Sequence, residues 1–139
     1  MSSIRLILGD QLSESISSLK DCNLNTDIIL ICEVLEEATY VKHHKKKIVF
    51  LFSAMRHFAK ELKNKGFNLE YTSLNDQDNT NSFKGEIKRT LKKYNFNHII
   101  VTHPGEYRVL KDIKSLEHEL NIHLEIREDD RFLCSKDEF

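Results

Sequence analysis

Cysteine is scarce in this chain: three in 139 residues, at Cys22, Cys32 and Cys134, far apart and with no C-x-x-C spacing. That argues against a disulfide framework and against a zinc or iron–sulfur centre built from these thiols alone. Reduced thiols in a cytoplasmic protein are the expectation. Glycine is scarce too, with four residues. Neither G-x-G-x-x-G nor G-x-x-x-x-G-K occurs, so the two familiar phosphate-cradling loops are absent. No serine sits in a G-x-S-x-G context, so a hydrolase nucleophile is not supported. No run of eighteen apolar residues exists, so no membrane-spanning helix is expected. The start MSSIRLILGD has no charged n-region and only a short apolar stretch, so no signal peptide is expected. Net charge is nearly absent as well: 21 basic against 22 acidic residues leave −1 with histidines neutral. A protein that simply coats nucleic acid would carry a basic excess.

What is present is a soluble globular balance, 40% apolar and 31% charged. The length fits one domain, large enough to bury a core without a metal or disulfide. Short apolar runs alternate with longer helical patterns. Strands are expected at 4–8 (IRLIL), 28–32 (IILIC), from Leu69 and Tyr71, at 99–101 (IIV) and at 123–126 (HLEI). The last alternates in polarity, which suits a sheet edge. Leu12, Ile16 and Leu19 sit at helical spacing after Asp10, a good N-cap type, so a first helix is expected there. Ile48, Leu51, Phe52, Met55, Phe58, Ala59 and Leu62 mark one face of a long helix over 41–65, with Gly66 as its cap. Phe83, Ile87, Leu91 and Tyr94 form another stripe. Pro104 and Gly105 open a helix carrying Val109, Leu110, Ile113, Leu116 and Leu120. The stretch 74–82 reads as a polar surface loop.

Strands that are apolar throughout are usually covered on both faces. Strands alternating with helices give right-handed parallel crossovers. The fold expected is α/β: a three-layer, Rossmann-like, doubly wound domain with a five-stranded parallel sheet. No repeat, low-complexity tract or linker precedes residue 127.

Charge is uneven along the chain. Residues 42–65 hold eight bases and one acid; residues 117–139 hold eight acids and three bases. A solvated helix face and an acidic tail are the plain reading. Contact of the Lys42–Lys47 run with DNA or another acidic partner is the functional one.

Doubly wound sheets bind ligands beyond the carboxyl ends of their strands, at the switch in strand order. Gly9, Asp10, Gln11 and Leu12 follow the first strand. Glycine permits close approach of the backbone, and Asp10 and Gln11 offer hydrogen bonds to a polar heterocycle. The structural alternative is that Gly9 eases the turn and Asp10 caps a helix. Cys32, Glu33, Glu37 and Tyr40 lie at or beyond the end of the second strand, with Glu33 and Tyr40 expected to face a bound ring. His43 and His44 are adjacent, so on a helix they diverge by about 100° and do not chelate one metal as a pair. Gly105, Glu106, Tyr107 and Arg108 follow the fourth strand at the same edge. Arg108 there can pair with Glu33 or Glu37, or meet an anionic ligand. From residue 127 the texture changes, and Phe132 and Leu133 suggest a lead into further chain.

Five segments taken together carry a resemblance: ILGDQL at 7–12, EEATYVKHHKKKI at 36–48, FSAMRHFAKEL at 52–62, PGEYRVL at 104–110 and EDDRFLCS at 128–135. In that order they resemble the deoxyribodipyrimidine photolyase-related proteins, the iron–sulfur bacterial cryptochromes and photolyases. The resemblance implies an amino-terminal α/β antenna domain over 1–127, with 128–139 leading into a helical region absent from this chain. That region would bind FAD and a four-cysteine [4Fe–4S] cluster, which three cysteines cannot replace, and would repair pyrimidine dimers or (6-4) photoproducts with light. It implies an antenna chromophore, 6,7-dimethyl-8-ribityllumazine, held by Gly9, Asp10, Gln11, Leu12, Cys32, Glu33, Glu37 and Tyr40. No catalytic residue and no metal ligand is carried over. The implied partners are the chain's own helical domain, UV-damaged DNA through the longer protein, and a second copy if the domain is excised. The reading from another class is a stand-alone Rossmann-like nucleotide-binding or interaction module. A native reading frame running hundreds of residues past Phe139 would discriminate against it.

Overall fold

The computed structural model describes residues 2–9, 11–34, 45–80, 82–104 and 107–129, with side chains omitted at 45–48. Five strands are β1 (Ile4–Leu6), β2 (Ile28–Cys32), β3 (Leu69–Thr72), β4 (His98–Thr102) and β5 (His123–Arg127). Three helices are α1 (Lys45–Asn64), α2 (Phe83–Tyr94) and α3 (Tyr107–Leu120). The strands form one sheet in the order β3-β2-β1-β4-β5, and every pairing is parallel. The crossover through α2 carries the chain from one edge past β2 and β1 to the far side of β1. The switch in strand order therefore falls between β1 and β4. Register is set by apolar pairs such as Ile4 with Ile28 on one side and Ile99 on the other.

Two apolar clusters, one per face, make the three layers. On one face α1 lays Phe52, Met55, Phe58, Ala59 and Leu62 against Ile7, Ile29 and Ile31. On the other, α2 and α3 lay Phe83, Ile87, Leu91, Ile113 and Leu116 against Ile4, Leu6, Leu30, Ile99 and Val101. This double cover is why β1 and β4 are buried at every position, Arg5, His98 and Thr102 included, and why 99–101 reads as a continuous apolar run. The expected α/β, doubly wound, five-stranded parallel architecture is what the chain adopts, with β5 at an edge as its alternation suggests. Each helix is followed by a left-handed residue: Gly66 at φ 96°, Asn95 at 56° and Asn121 at 51°. Past α1, Gly66 N–H donates to Lys63 C=O (3.1 Å) and Phe67 N–H to Leu62 C=O (3.2 Å), which closes the last turn as expected of Gly66.

The first crossover departs from expectation. No helix forms over 11–19; the segment holds a single 3-10 turn at Ser17–Leu19. Serine is the cause. Ser13 Oγ accepts from Ser15 N–H (3.3 Å), and Ser17 Oγ and Ser18 N–H both engage Thr102 Oγ1 (2.8 and 2.9 Å). Serines that bond locally or sideways give the backbone an alternative to the helix. Two arginines then gather the freed carbonyls. Arg5 Nη1 donates to Ser18 and Lys20 C=O (3.1 and 2.6 Å), and Arg127 Nη1 to Ser17 and Lys20 C=O (both 2.9 Å). Ile16 and Leu19 still reach the α1-side core, so the apolar spacing reports burial rather than a helix.

Candidate functional site at the carboxyl edge of the sheet

The switch between β1 and β4 is closed by short polar clasps. Gly9 is buried at the turn after β1. Gln11 Oε1 accepts from Leu8 N–H (3.2 Å), and its Nε2 donates to Thr102 C=O (3.0 Å), bridging the two strands. Leu12 is half-buried beside the α1-side cluster. Asp10, Glu37 and Tyr40 lie outside the described residues, as do His43, His44, Gly105 and Glu106.

At the end of β2 the two neighbouring positions point to opposite layers. Cys32 is fully buried in the cluster beneath α2 and α3. Glu33 is also fully buried, on the α1 side, and its carboxylate is fully engaged. It accepts from Arg56 Nε (2.5 Å) and Nη2 (2.8 Å), from Leu74 N–H (3.0 Å) and from the Tyr71 hydroxyl. Arg56, not Arg108, is the arginine that answers Glu33. It comes from the middle of α1, whose first turn lies at the same edge. Burial alone would raise the Glu33 pKa. The Arg56 guanidinium, the Tyr71 hydroxyl and the Leu74 amide outweigh it and hold the carboxyl below its usual range. Burial and the Glu33 charge push the Tyr71 phenol upward, and Glu33 raises Arg56. At neutral pH this is a fixed arrangement of anion, cation and protonated phenol, suited to orienting groups rather than moving protons.

A second buried carboxylate stands nearby on α2. Glu86 is fully buried and accepts from Thr80 N–H (2.9 Å), Thr80 Oγ1 (2.7 Å) and Arg89 Nη2 (2.7 Å). Arg89 also donates to Thr72 Oγ1 (3.1 Å) at the end of β3. Asn79 Nδ2 donates to Glu33 C=O (2.7 Å) and Ser73 C=O (2.9 Å). The polar loop after β3 is thus a built surface, pinned by Glu33 and Glu86. Sequence reasoning missed Arg56, Tyr71, Asn79 and Glu86. The available signal was Glu86 beside Ile87 on an otherwise apolar stripe, with Arg89 one turn on. A groove of about 760 Å³ runs beside this network along β3 and α2, sharing Tyr71 and Arg89 with it and lined further by Glu70, Asp76, Asp78 and Lys92, among others.

After β4, His103 N–H donates to Arg127 C=O (2.7 Å), tying the strand ends together. Tyr107 at the start of α3 is 77% exposed at this same edge. Among the described residues no group of three or more His, Cys, Asp or Glu side chains is placed to hold a metal ion. Among them also, no helix is long and apolar enough to cross a membrane.

The model of the deoxyribodipyrimidine photo-lyase-related proteins matches residues 5–139. Over 139 residues the chain is 50% identical to a (6-4) photolyase of Agrobacterium fabrum; the match takes in 100% of this chain and 27% of that protein. The segments quoted from the sequence, the doubly wound sheet and a match along almost the whole chain agree, and the chain belongs to the deoxyribodipyrimidine photo-lyase-related family.

Proposed function

We propose that this chain is the amino-terminal antenna domain of a light-driven DNA photolyase of the (6-4) type. In this reading it binds 6,7-dimethyl-8-ribityllumazine at the carboxyl edge of the sheet and passes excitation to a flavin in a carboxyl-terminal helical domain. One observation carries the reading: the chain aligns from end to end at 50% identity with a (6-4) photolyase, yet spans 27% of it. The remaining length is where FAD, the [4Fe–4S] cluster and the repair of UV-damaged DNA belong. The 139 residues alone are expected to show no photorepair.

The site's chemistry narrows which residues recognise the chromophore. Gln11 and Glu33 already spend hydrogen-bonding capacity on protein partners, and Cys32 is turned into the core. Gly9 has no Cβ to block a flat ring, and Leu12 offers an apolar edge. Polar recognition then falls to Asp10, Glu37 and Tyr40, while Glu33 holds Arg56 and Tyr71 in place at the end of β2. Bound lumazine would supply near-violet absorption; this chain's residues would bind it, orient it and exclude water.

Titrating the purified chain with 6,7-dimethyl-8-ribityllumazine should give saturable near-violet absorbance and altered fluorescence. Glu37→Gln and Tyr40→Phe should each weaken binding about tenfold, the worth of one hydrogen bond to a buried polar group. No saturation, together with variants that match the unaltered chain, would overturn the antenna reading. It would leave a Rossmann-like interaction module in its place.

A further inference from the structure

α1 and α2 are both rich in lysine and arginine, but the structure treats them differently. On α2 four of the five cations are answered by acids, three of them from neighbouring elements and one, Arg89, from within the helix, while Lys92 makes no ion pair among the described residues. Lys84 and Lys88 meet Glu119 (2.6 and 3.0 Å), Lys93 meets Glu70 (2.7 Å) and Arg89 meets Glu86 (2.7 Å). On α1 the sole acid is Glu61, and it faces His57 of the same helix (3.0 Å). Arg56 is turned to Glu33, and Lys60 and Lys63 make no ion pair among the described residues. Val49, Ser53, Arg56, Lys60 and Lys63 are all exposed and follow one another at spacings of three and four. That is one straight stripe of about 21 Å along the helix. At its head Val49 is 64% and Phe50 76% exposed. Lys45 and Lys46 precede Val49 by four and three residues, in a first turn with no acid. Cations at a helix amino terminus oppose its dipole, so this end gains from an anion laid across it.

We propose that this outer face of α1 docks on the phosphate backbone of duplex DNA through three phosphate contacts, at Lys60, at Lys63 and at the first turn of the helix, with Phe50 against deoxyribose. The contact reads charge and shape, not sequence or lesion. The choice of DNA among polyanions rests on the photolyase reading above; the basic face does not. It adds a contact on the antenna domain, apart from any pocket that receives a damaged base.

The test is fluorescence anisotropy of the full chain with a labelled undamaged duplex. Three phosphate contacts imply a loss of roughly 40-fold in affinity between 50 and 200 mM salt. Lys60→Gln with Lys63→Gln should weaken binding at least about tenfold at low salt and reduce the salt slope by about 1.8. Phe50→Ser should weaken it severalfold. Lys84→Gln, on α2, should leave it unchanged. Flat anisotropy at 50 mM salt would overturn the proposal, as would equal loss in Lys84→Gln. So would a sedimentation result in which Phe50→Ser turns a dimer into a monomer with DNA binding intact, since the face would then join two copies. Lumazine titration of the same samples keeps the two readings apart. Chromophore binding without DNA binding sinks only the basic-face contact.

Discussion

His98 shows how one side chain can set a pH limit. It is 9% exposed at the start of β4, its Nδ1 lies 2.6 Å from Ser3 Oγ, and its Nε2 is buried without a hydrogen-bond partner. The His123 ring lies against it with centroids 4.8 Å apart. Burial is the main cause of its lowered pKa. His123 and Arg5 push the same way, while Glu125 and Asp27 oppose them less strongly. A histidine whose folded pKa lies below its unfolded value binds fewer protons in the native state, so stability rises with pH across that interval. The contribution is complete above about 6.5 and is lost as pH falls through the folded pKa. Glu33 and Glu86 are lowered as well, and their contributions begin to fail only near the ordinary carboxyl pKa of 4.5. Urea unfolding at a series of pH values should therefore show two acid steps. His98→Gln should remove the upper one and leave the lower. Each unit of pKa depression appears as about 1.4 kcal/mol of lost stability. A single step near pH 4 in the unaltered chain would refute the assignment.

The helices and loops show where a side chain would do harm. Gly85 lies in the first turn of α2, where Ser82 caps the helix by accepting from Gly85 N–H (3.0 Å). A Cβ at Gly85 would stand 2.3 Å from Thr80 Oγ1 and 2.9 Å from Ser82 Oγ. Thr80 would have to move off Glu86, leaving a buried carboxylate short of donors. Gly85→Ala should cost about 1–3 kcal/mol. Gly66→Ala meets no atom within 4 Å and strains only its left-handed backbone, so about 1 kcal/mol is expected. Thermal unfolding of the two variants should rank them in that order. Most elements were legible because burial writes itself into apolar spacing: the α1 stripe, the apolar runs of β2 and β4, and Gly66 as a stop. Spacing alone could not distinguish a helix over 11–19 from a loop buried through the same residues. Serine hydroxyls and the two arginines, arriving from β1 and β5, decide that case. The Glu33 network was half legible. An acid at a strand end was visible, but its partners come from residues 23, 38 and 41 positions away in sequence, which local pattern cannot connect.

Across the whole molecule, charges sum nearly to nothing but are poorly mixed. A net −1 with seven histidines uncharged means that the total crosses zero just below pH 7 as the histidines take up protons. With a basic stretch at 42–65 and an acidic one at 117–139, molecules at that pH attract through patches of opposite charge. Light scattering should find a solubility minimum just below pH 7 that added salt relieves. A minimum insensitive to salt would point instead to apolar association.

β1 lies at the centre of the sheet but is the first strand to be made. Its partner on one side is complete at Cys32, but on the other Ile4 waits for Ile99, and Ser3 waits 95 residues for His98. At ribosomal rates of about 5–20 residues per second, that edge stays open for roughly 5–19 s on the nascent chain. During that interval the middle of the future sheet is an exposed template of apolar backbone. A pause in translation before β4 has left the ribosome would lengthen the hazard, whereas one after β4 has emerged would fall when β1 can already pair on both sides. Yield in the cell should thus depend on the tempo of synthesis before β4 emerges more than on the stability of the finished fold.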